Sequence, residues 1–408
     1  MKDKVVIIGA SITGIYAMSE LVKNKFNGDI TIIDKKDVFP YNTYPLSKEW
    51  MMDMDNMEPP LLKDKDFYKK NNINLKLNTK VDFINYKEQT ITTNLNETIP
   101  YDYLVIATGS KVRKVKISGD DAKGIYYLRE FNDAKRIKEW AKNIENIVII
   151  GAGFIGLELA STFTQLDKKV SVLIRSGKPL ENILGEQVSE YFTKMHQSHN
   201  VNFVFDEETD EFIKDDKGNI SHIRTKSGKS IKADMVIIAV GVEPNISFKV
   251  DSLDIDHGII VNKYGETSLP NIYAGGDIVK WPYKNRLIHI EHWENAWGQG
   301  ISIAKNILNK KSNEYSMEPY FWTDQYDESF EYLGYARTWD KTFVRGSLNE
   351  KKFAVAYVDN NNYPLAILFA NKFEKRKDME KLLANNQPLD EAEFTDVNIS
   401  IDEMTSTS

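Results

Sequence analysis

Two glycine loops, Gly9-Ala10-Ser11-Ile12-Thr13-Gly14 and Gly151-Ala152-Gly153-Phe154-Ile155-Gly156, constrain this chain more than any other feature. Each follows an apolar strand, Val5-Val6-Ile7-Ile8 in the first case and Ile147-Val148-Ile149-Ile150 in the second, and each runs into a helical pattern. A strand, a tight turn and a helix N-terminus in that order aim backbone amides and the positive end of a helix dipole at a pyrophosphate. One such loop is weak evidence, because tight turns also select glycine. Two in the same context predict two dinucleotide-binding βαβ units in one chain.

The first unit reads strand 4–8, loop, helix to about Val22, and strand Asp29 to Ile33 ending at Asp34. An acid at that distance beyond the loop suits the hydroxyls of an adenosine ribose, the alternative being a solvated strand-end aspartate. Tyr103 to Ile106 reads as a further strand, and Ala107-Thr108-Gly109-Ser110 as a small-residue turn where backbone approaches a ligand closely. The second unit runs from Asn146 through Lys169 to Ile174 and closes with Met235 to Val240, followed by Gly241. The chain then returns to the first unit through Asn271 to Asp277. Beyond Pro319, aromatic strand-like segments and a helix at about 372–385 predict a small α+β domain, with a frayed acidic end from about Asp390. The expected fold is therefore α/β, with two Rossmann-like domains, the second inserted in the first, and a small α+β domain. The boundaries are expected at 1–112 with 245–318, at 113–244, and at 319–408.

The chain has no cysteine, which excludes redox dithiols, cysteine sulfenates, thiolate metal sites and iron–sulfur clusters. Its six histidines include the near neighbours His289 and His292, but only Glu291 adds a carboxylate there, and no metal is expected. A net charge of −7 argues against a general nucleic-acid role. No apolar stretch exceeds strand length, and the first one leads straight into a glycine loop. Neither a signal peptide nor a membrane span is expected, and the expected location is cytoplasmic.

The order of motifs resembles the two-dinucleotide flavoprotein reductases, specifically their cysteine-free ferredoxin reductase and apoptosis-inducing-factor branch. Besides the two loops, the markers are Pro45-Leu46-Ser47-Lys48, Ala107-Thr108-Gly109, Tyr127-Leu128-Arg129, Gly241-Val242-Glu243-Pro244-Asn245, Ala274-Gly275-Gly276-Asp277, Glu291-His292-Trp293 and Phe321-Trp322-Thr323-Asp324-Gln325-Tyr326. The resemblance implies that Gly9, Ser11, Gly14, Asp34, Lys48, Ala107, Thr108, Gly109, Arg129, Asp277 and Glu291-His292-Trp293 serve FAD. It assigns Gly151, Gly153, Phe154, Ile155, Gly156 and Gly241 to NAD(P)H. It also implies that Lys48 and Glu158, from different domains, pair beside the reactive nitrogen of the flavin, and that Trp322 lies beside the flavin. The polar neighbours Asp324 and Gln325 suggest that Trp322 is partly exposed. Thr43-Tyr44 stands where relatives carry arginine and a second proline, so one contact to the flavin nucleotide is in question. The run Trp50-Met51-Met52-Asp53-Met54 reads as adaptable packing, with a substrate funnel as the alternative.

The resemblance implies an FAD-dependent NAD(P)H oxidoreductase whose acceptor is a small redox protein such as a ferredoxin, rubredoxin or haem protein. A quinone or dioxygen is the alternative acceptor, and a redox sensor resembling apoptosis-inducing factor is the alternative of another class. For the nicotinamide cofactor the chain carries an internal comparison. The second unit has Ile174 where the first has Asp34, and Arg175 and Lys178 follow as donors for a 2′-phosphate. NADPH is expected over NADH, with Glu181 as the opposing feature.

Overall fold

In the computed structural model, which describes residues 2–309 and 312–406, the chain forms two compact units. The first comprises Met1–Tyr44, Glu58–Arg113 and Val242–Met317; the second comprises Pro45–Met57, Lys114–Gly241 and Glu318–Ser408.

The first unit is organised on a five-stranded parallel sheet in the order Ile272–Ala274, Tyr103–Ile106, Lys4–Ile8, Asp29–Ile33, Ile73–Lys76. Its central strand is apolar on both faces, as a sheet covered on both sides requires, and Val5, Val6 and Ile7 are fully buried. Helices Ile12–Lys23 and Trp293–Asn309 pack together, and Gly300 makes this possible: a Cβ there would lie 2.4 Å from the carbonyl oxygen of Thr13.

The second unit contains a five-stranded parallel sheet in the order Asn202–Val204, Lys169–Leu173, Asn146–Ile150, Met235–Ile238, Ile125–Tyr126. It also contains a three-stranded meander, Thr209–Lys214, Ile220–Thr225 and Ser230–Lys232. Residues from Tyr320 onward form a five-stranded antiparallel sheet in the order Tyr320–Gln325, Glu328–Gly334, Pro364–Ala370, Lys352–Val358, Lys341–Ser347. Helix Arg376–Ala384 covers its apolar face through Met379, Leu382 and Leu383.

The expectation of a frayed acidic end is corrected. Helices Glu391–Thr395 and Ile401–Ser406 follow Asp390, and buried Arg345 binds this segment. Its guanidinium donates to the carbonyls of Phe394, Asp396 and Ile399 and to Glu374 Oε1 at 2.6 Å. Acidic composition suggested solvation, whereas one buried cation and the apolar anchors Phe394 and Ile401 order the segment.

Candidate functional site

The two glycine loops have the same geometry. Gly9 N donates to Ile33 O at 2.8 Å and Gly151 N to Leu173 O at 3.0 Å, both at positive φ (107° and 106°). A Cβ on Gly9 would lie 2.1 Å from Ala107 O, and one on Gly151 would lie 2.4 Å from Ala239 O. Backbone on the neighbouring strand therefore excludes any side chain at either position. Gly14 and Gly156 close the turns, each with its Cβ direction blocked by the carbonyl of the first glycine. At the middle position the loops differ: Ser11 stands in the first, and Gly153, with no atom near its Cβ direction, in the second. Neither Ser11 nor Gly153 caps its helix with a side chain, so the leading amides of both helices are not capped from these positions.

In the first unit Asp34 is buried, accepts from Ala10 N at 2.6 Å through Oδ2 and from Lys36 N at 2.9 Å through Oδ1. Two carboxylate oxygens carry four acceptor directions, so these bonds orient the acid and leave capacity for ribose hydroxyls. Thr108 Oγ1 donates to Asn245 O at 2.9 Å, joining the Ala107-Thr108-Gly109 turn to the segment after Gly241. Ser110 Oγ donates to Asp277 Oδ2 at 2.7 Å beyond the Gly275-Gly276 turn, whose amide Gly276 N is held by Gln299 Oε1 at 2.7 Å. Glu291 meets His289 Nε2 at 3.0 Å, and Trp293 Nε1 donates to Asn42 Oδ1 at 2.8 Å at the start of its helix. Burial drives His292 down to about 4, against the opposing pull of Asp277. Tyr44 stands edge-on to Trp293 at 6.0 Å, where the expected arginine-proline pair is missing. Backbone-lined loops, an oriented buried acid and the Asp277 turn fit an adenine–flavin dinucleotide.

In the second unit Phe154 meets Phe321 edge-on at 4.6 Å, and Ile155 is exposed. Gly241 has φ of 96° and an open Cβ direction. Ile174 is buried, and Arg175 is exposed immediately after it. Lys178 is engaged: Nζ lies 2.8 Å from Glu190 and its backbone N donates to Glu181. Arg129 is half-buried beside the start of helix Phe131–Ala141, its backbone N 3.2 Å from Asp133.

The same unit brings Lys48, Glu158 and Trp322 together. Helix Phe154–Gln165 presents Glu158 and Thr162, one turn apart, to the turn Tyr44–Ser47. Thr162 Oγ1 donates to Ser47 O at 2.7 Å, Ser47 Oγ donates to Glu158 Oε2 at 2.5 Å, and Thr323 Oγ1 donates to Glu158 Oε1 at 2.8 Å. Lys48 Nζ lies 3.6 Å from Glu158 Oε1, 3.5 Å from Asp324 Oδ2 and 5.6 Å from the centre of the Trp322 ring. Glu158 is 7 % exposed and Lys48 9 %, so neither is a solvated surface charge. Burial raises the Glu158 carboxyl above the usual range, outweighing Lys48 and the two hydroxyls, which favour the anion. A carboxylate held this way responds strongly to charge that arrives or leaves nearby.

One step of the sequence reading needs correction. Gln325 is 1 % exposed and therefore carries no sign of exposure for Trp322, which is half-buried beside the exposed Asp324. In the run after Lys48, Trp50 and Met51 are buried, which supports packing over a funnel.

Sequence reading missed Lys138. Fully buried, its ammonium donates to the carbonyls of Trp50, Asp53 and Asn56 at 2.5, 2.8 and 2.7 Å and lies over the Trp50 ring. Three donors meet three acceptors, which ties down the segment that carries Lys48. The signal was present: Lys138 falls on the stripe Ala134, Ile137, Ala141 that helix Phe131–Ala141 buries.

Residues 3–300 match the family model described as pyridine nucleotide-disulphide oxidoreductase, and residues 320–405 match the reductase C-terminal domain. Rhodocoxin reductase of Rhodococcus erythropolis is 29% identical over 97% of this chain and 93% of its own length. Putidaredoxin reductase CamA of Pseudomonas putida is 28% identical over 98% and 96%. Human apoptosis-inducing factor 3 is 29% identical over 86% of this chain, which spans 58% of that relative. Among solved structures, the reductase of the covalent putidaredoxin reductase–putidaredoxin complex superposes with a TM-score of 0.92 at 28% identity, covering 98% of both chains.

Proposed function

The chain belongs to the pyridine nucleotide-disulphide oxidoreductase family, and we propose that it is an FAD-dependent NAD(P)H oxidoreductase that passes electrons to a small redox protein of the ferredoxin class. The observation that carries this reading is the pair of glycine loops in matching register in a chain without cysteine. Two dinucleotides are provided for, and no dithiol relay stands between them and the acceptor.

FAD, when bound, supplies hydride acceptance and the onward release of electrons. The residues supply position and charge. Gly9, Ser11, Gly14 and Asp34 serve its pyrophosphate and adenosine ribose, with Ala107-Thr108-Gly109, Arg129, Asp277 and Glu291-His292-Trp293 completing the set. Gly151, Gly153, Phe154, Ile155, Gly156 and Gly241 serve the nicotinamide nucleotide. Lys48, Glu158 and Trp322 tune the flavin, as the resemblance implies. For the domain limits we propose 1–112 with 245–318 for FAD, 113–244 for NAD(P)H, and 319–408 for the acceptor side. We place the enzyme in the cytoplasm, the compartment that supplies NAD(P)H. Among the described residues no helix is long and apolar enough to cross a membrane.

For the nucleotide we propose NADPH. Ile174 puts no acid where a 2′-phosphate would sit, and exposed Arg175 is available beside it, whereas Lys178 is shared with Glu190. One charge-assisted bond corresponds to roughly ten- to hundred-fold in relative kcat/KM, so Arg175→Ala is expected to lower the NADPH/NADH ratio by at least about tenfold. A wild-type preference for NADH, or an unchanged ratio in the variant, defeats this choice.

The reading as a whole is tested with purified protein. It is expected to be yellow, to carry one FAD per chain, and to reduce a [2Fe–2S] ferredoxin with NADPH faster than it consumes a quinone or dioxygen. Folded protein that takes up no FAD refutes the cofactor. Equal turnover of quinone or dioxygen without ferredoxin refutes the acceptor class.

A further inference from the structure

Glu158 stands at one end of an unbroken line of buried side chains within the second unit. Thr323 Oγ1 lies 2.8 Å from Glu158 Oε1, Gln325 Nε2 lies 3.0 Å from Thr323 Oγ1, His196 Nε2 lies 2.8 Å from Gln325 Oε1, and Tyr326 Oη lies 2.9 Å from His196 Nδ1. Thr323, Gln325 and His196 are each 1 % exposed or less. The line comes from three elements: the Glu158 helix, the strand Tyr320–Gln325 with its following turn, and helix Glu181–Ser198.

The chemistry of each member fixes the direction. An ionised carboxylate only accepts, so Thr323 donates to it. The Thr323 oxygen then accepts, which turns the Gln325 amide nitrogen toward it and the Gln325 carbonyl toward His196. A carbonyl also only accepts, so His196 carries its proton on Nε2. Its bare Nδ1 accepts in turn from the Tyr326 hydroxyl. Every dipole points its positive end at Glu158, and bonds aligned in this way polarise one another.

We propose that His196, Gln325 and Thr323 are positioning residues that hold Glu158 as an oriented anion against Lys48. The inference rests on the proposed role of the Lys48–Glu158 pair for its consequence in turnover, but not for the chain itself. Two observations support it. Burial takes His196 down to about 4, so the neutral ring that the chain needs persists at neutral pH. Tyr326 is lifted to about 12 by burial, so its hydroxyl stays a donor, and His199 stacks flat on its ring at 3.6 Å to hold it in place. The charged or titratable groups facing Glu158 are Lys48 and Asp324; those facing His196 are His199 and Tyr326.

The chain makes the tautomer of a histidine depend on the ionisation of a carboxylate three links away. Selective ¹⁵N labelling of the histidines in the FAD-bound wild type is expected to show His196, identified by its loss in His196→Gln, as the neutral Nε2–H form at pH 7. An Nδ1–H or doubly protonated ring overturns the proposal without any variant having to fold. In protein labelled with ¹³C at the glutamate carboxyls, Glu158 is assigned from Glu158→Gln. Its titration is expected to move up by about one unit in Thr323→Val and by a smaller step in Gln325→Leu. His196→Phe is expected to follow Gln325→Leu, whereas His196→Gln, whose amide still donates to Gln325, restores the wild-type value. An unmoved Glu158 titration in Thr323→Val and Gln325→Leu refutes the chain. The pH profile of hydride transfer from NADPH is expected to shift with the titration. A profile that stays put while the titration moves leaves the chain standing and removes the pair's proposed role in flavin reduction.

Discussion

Replacing Lys48 by methionine keeps much of its volume and removes the cation that lies 3.6 Å from Glu158 Oε1. At an effective dielectric constant of about 20, two unit charges at that distance attract by about 4 to 5 kcal/mol. Breaking a buried pair from one side typically costs about 3 to 5 kcal/mol. Glu158 escapes this cost by taking a proton, and its carboxyl is already raised by burial, so the loss becomes a matter of pH. The sign follows from linkage. A carboxyl raised in the folded state keeps a proton that the unfolded chain has lost, so stability is full below the unfolded pKa and falls as pH rises toward the folded one. Between pH 5 and pH 8 the ceiling on this loss is about 4 kcal/mol, and Lys48→Met is expected to lose more of it than the wild type. Urea unfolding at pH 5, 6.5 and 8, with FAD at one fixed excess, measures it. The double variant Lys48→Met with Glu158→Gln is expected to lack the extra slope. Parallel wild-type and Lys48→Met profiles would refute the account of the pair as a coupled, buried unit.

Four further outcomes follow from other parts of the fold. Gly9→Ala places a Cβ 2.1 Å from Ala107 O at φ 107° and is expected to cost about 3 kcal/mol or more and to abolish FAD retention, read by thermal unfolding and absorbance. Gly153→Ala meets no atom within 4 Å and is expected to change stability by less than about 0.5 kcal/mol while raising the KM for NADPH. Because His196 falls from an ordinary value of 6.5 to about 4, the stability it withholds is present above pH 6.5 and is lost as pH falls toward 4. The wild type should lose about 3 kcal/mol more than His196→Gln over that interval in acid unfolding. Arg345→Met leaves Glu374 and three carbonyls without their donor, and is expected to cost about 3 to 5 kcal/mol and to open residues 390–406 to limited proteolysis.

Features written in short-range pattern were legible in the sequence. The strands flanking both glycine loops, the helices after them and most strands beyond residue 319 follow from apolar runs and turn residues that a window of ten residues contains. Polar residues serving buried partners were harder. Thr323 and Gln325 alternate with Trp322 and Asp324 along strand Tyr320–Gln325, and alternation alone does not say which face is dry. Their partners, Glu158 and His196, are distant in sequence, so polarity there suggested water when it meant a buried network. Lys138 misled for the complementary reason: a lysine on an apolar stripe is rarely buried, and its acceptors are carbonyls, which leave no trace in residue identity. The ordered acidic end depends on Arg345 in the same way.

The two compact units are interleaved along the chain, three segments each, and this bears on how the protein is made. As the polypeptide leaves the ribosome, the sheet of the first unit waits for strand Ile272–Ala274, whose partner Tyr103–Ile106 emerged long before. When that strand arrives, Lys48 and Glu158 have both been synthesised, but Thr323, Gln325 and Asp324 have not. Glu158 therefore stays without Thr323, one of its two hydroxyl donors, until translation passes residue 323. No single cut in the gene separates the units, so complementation by two fragments would have to divide at least one of them.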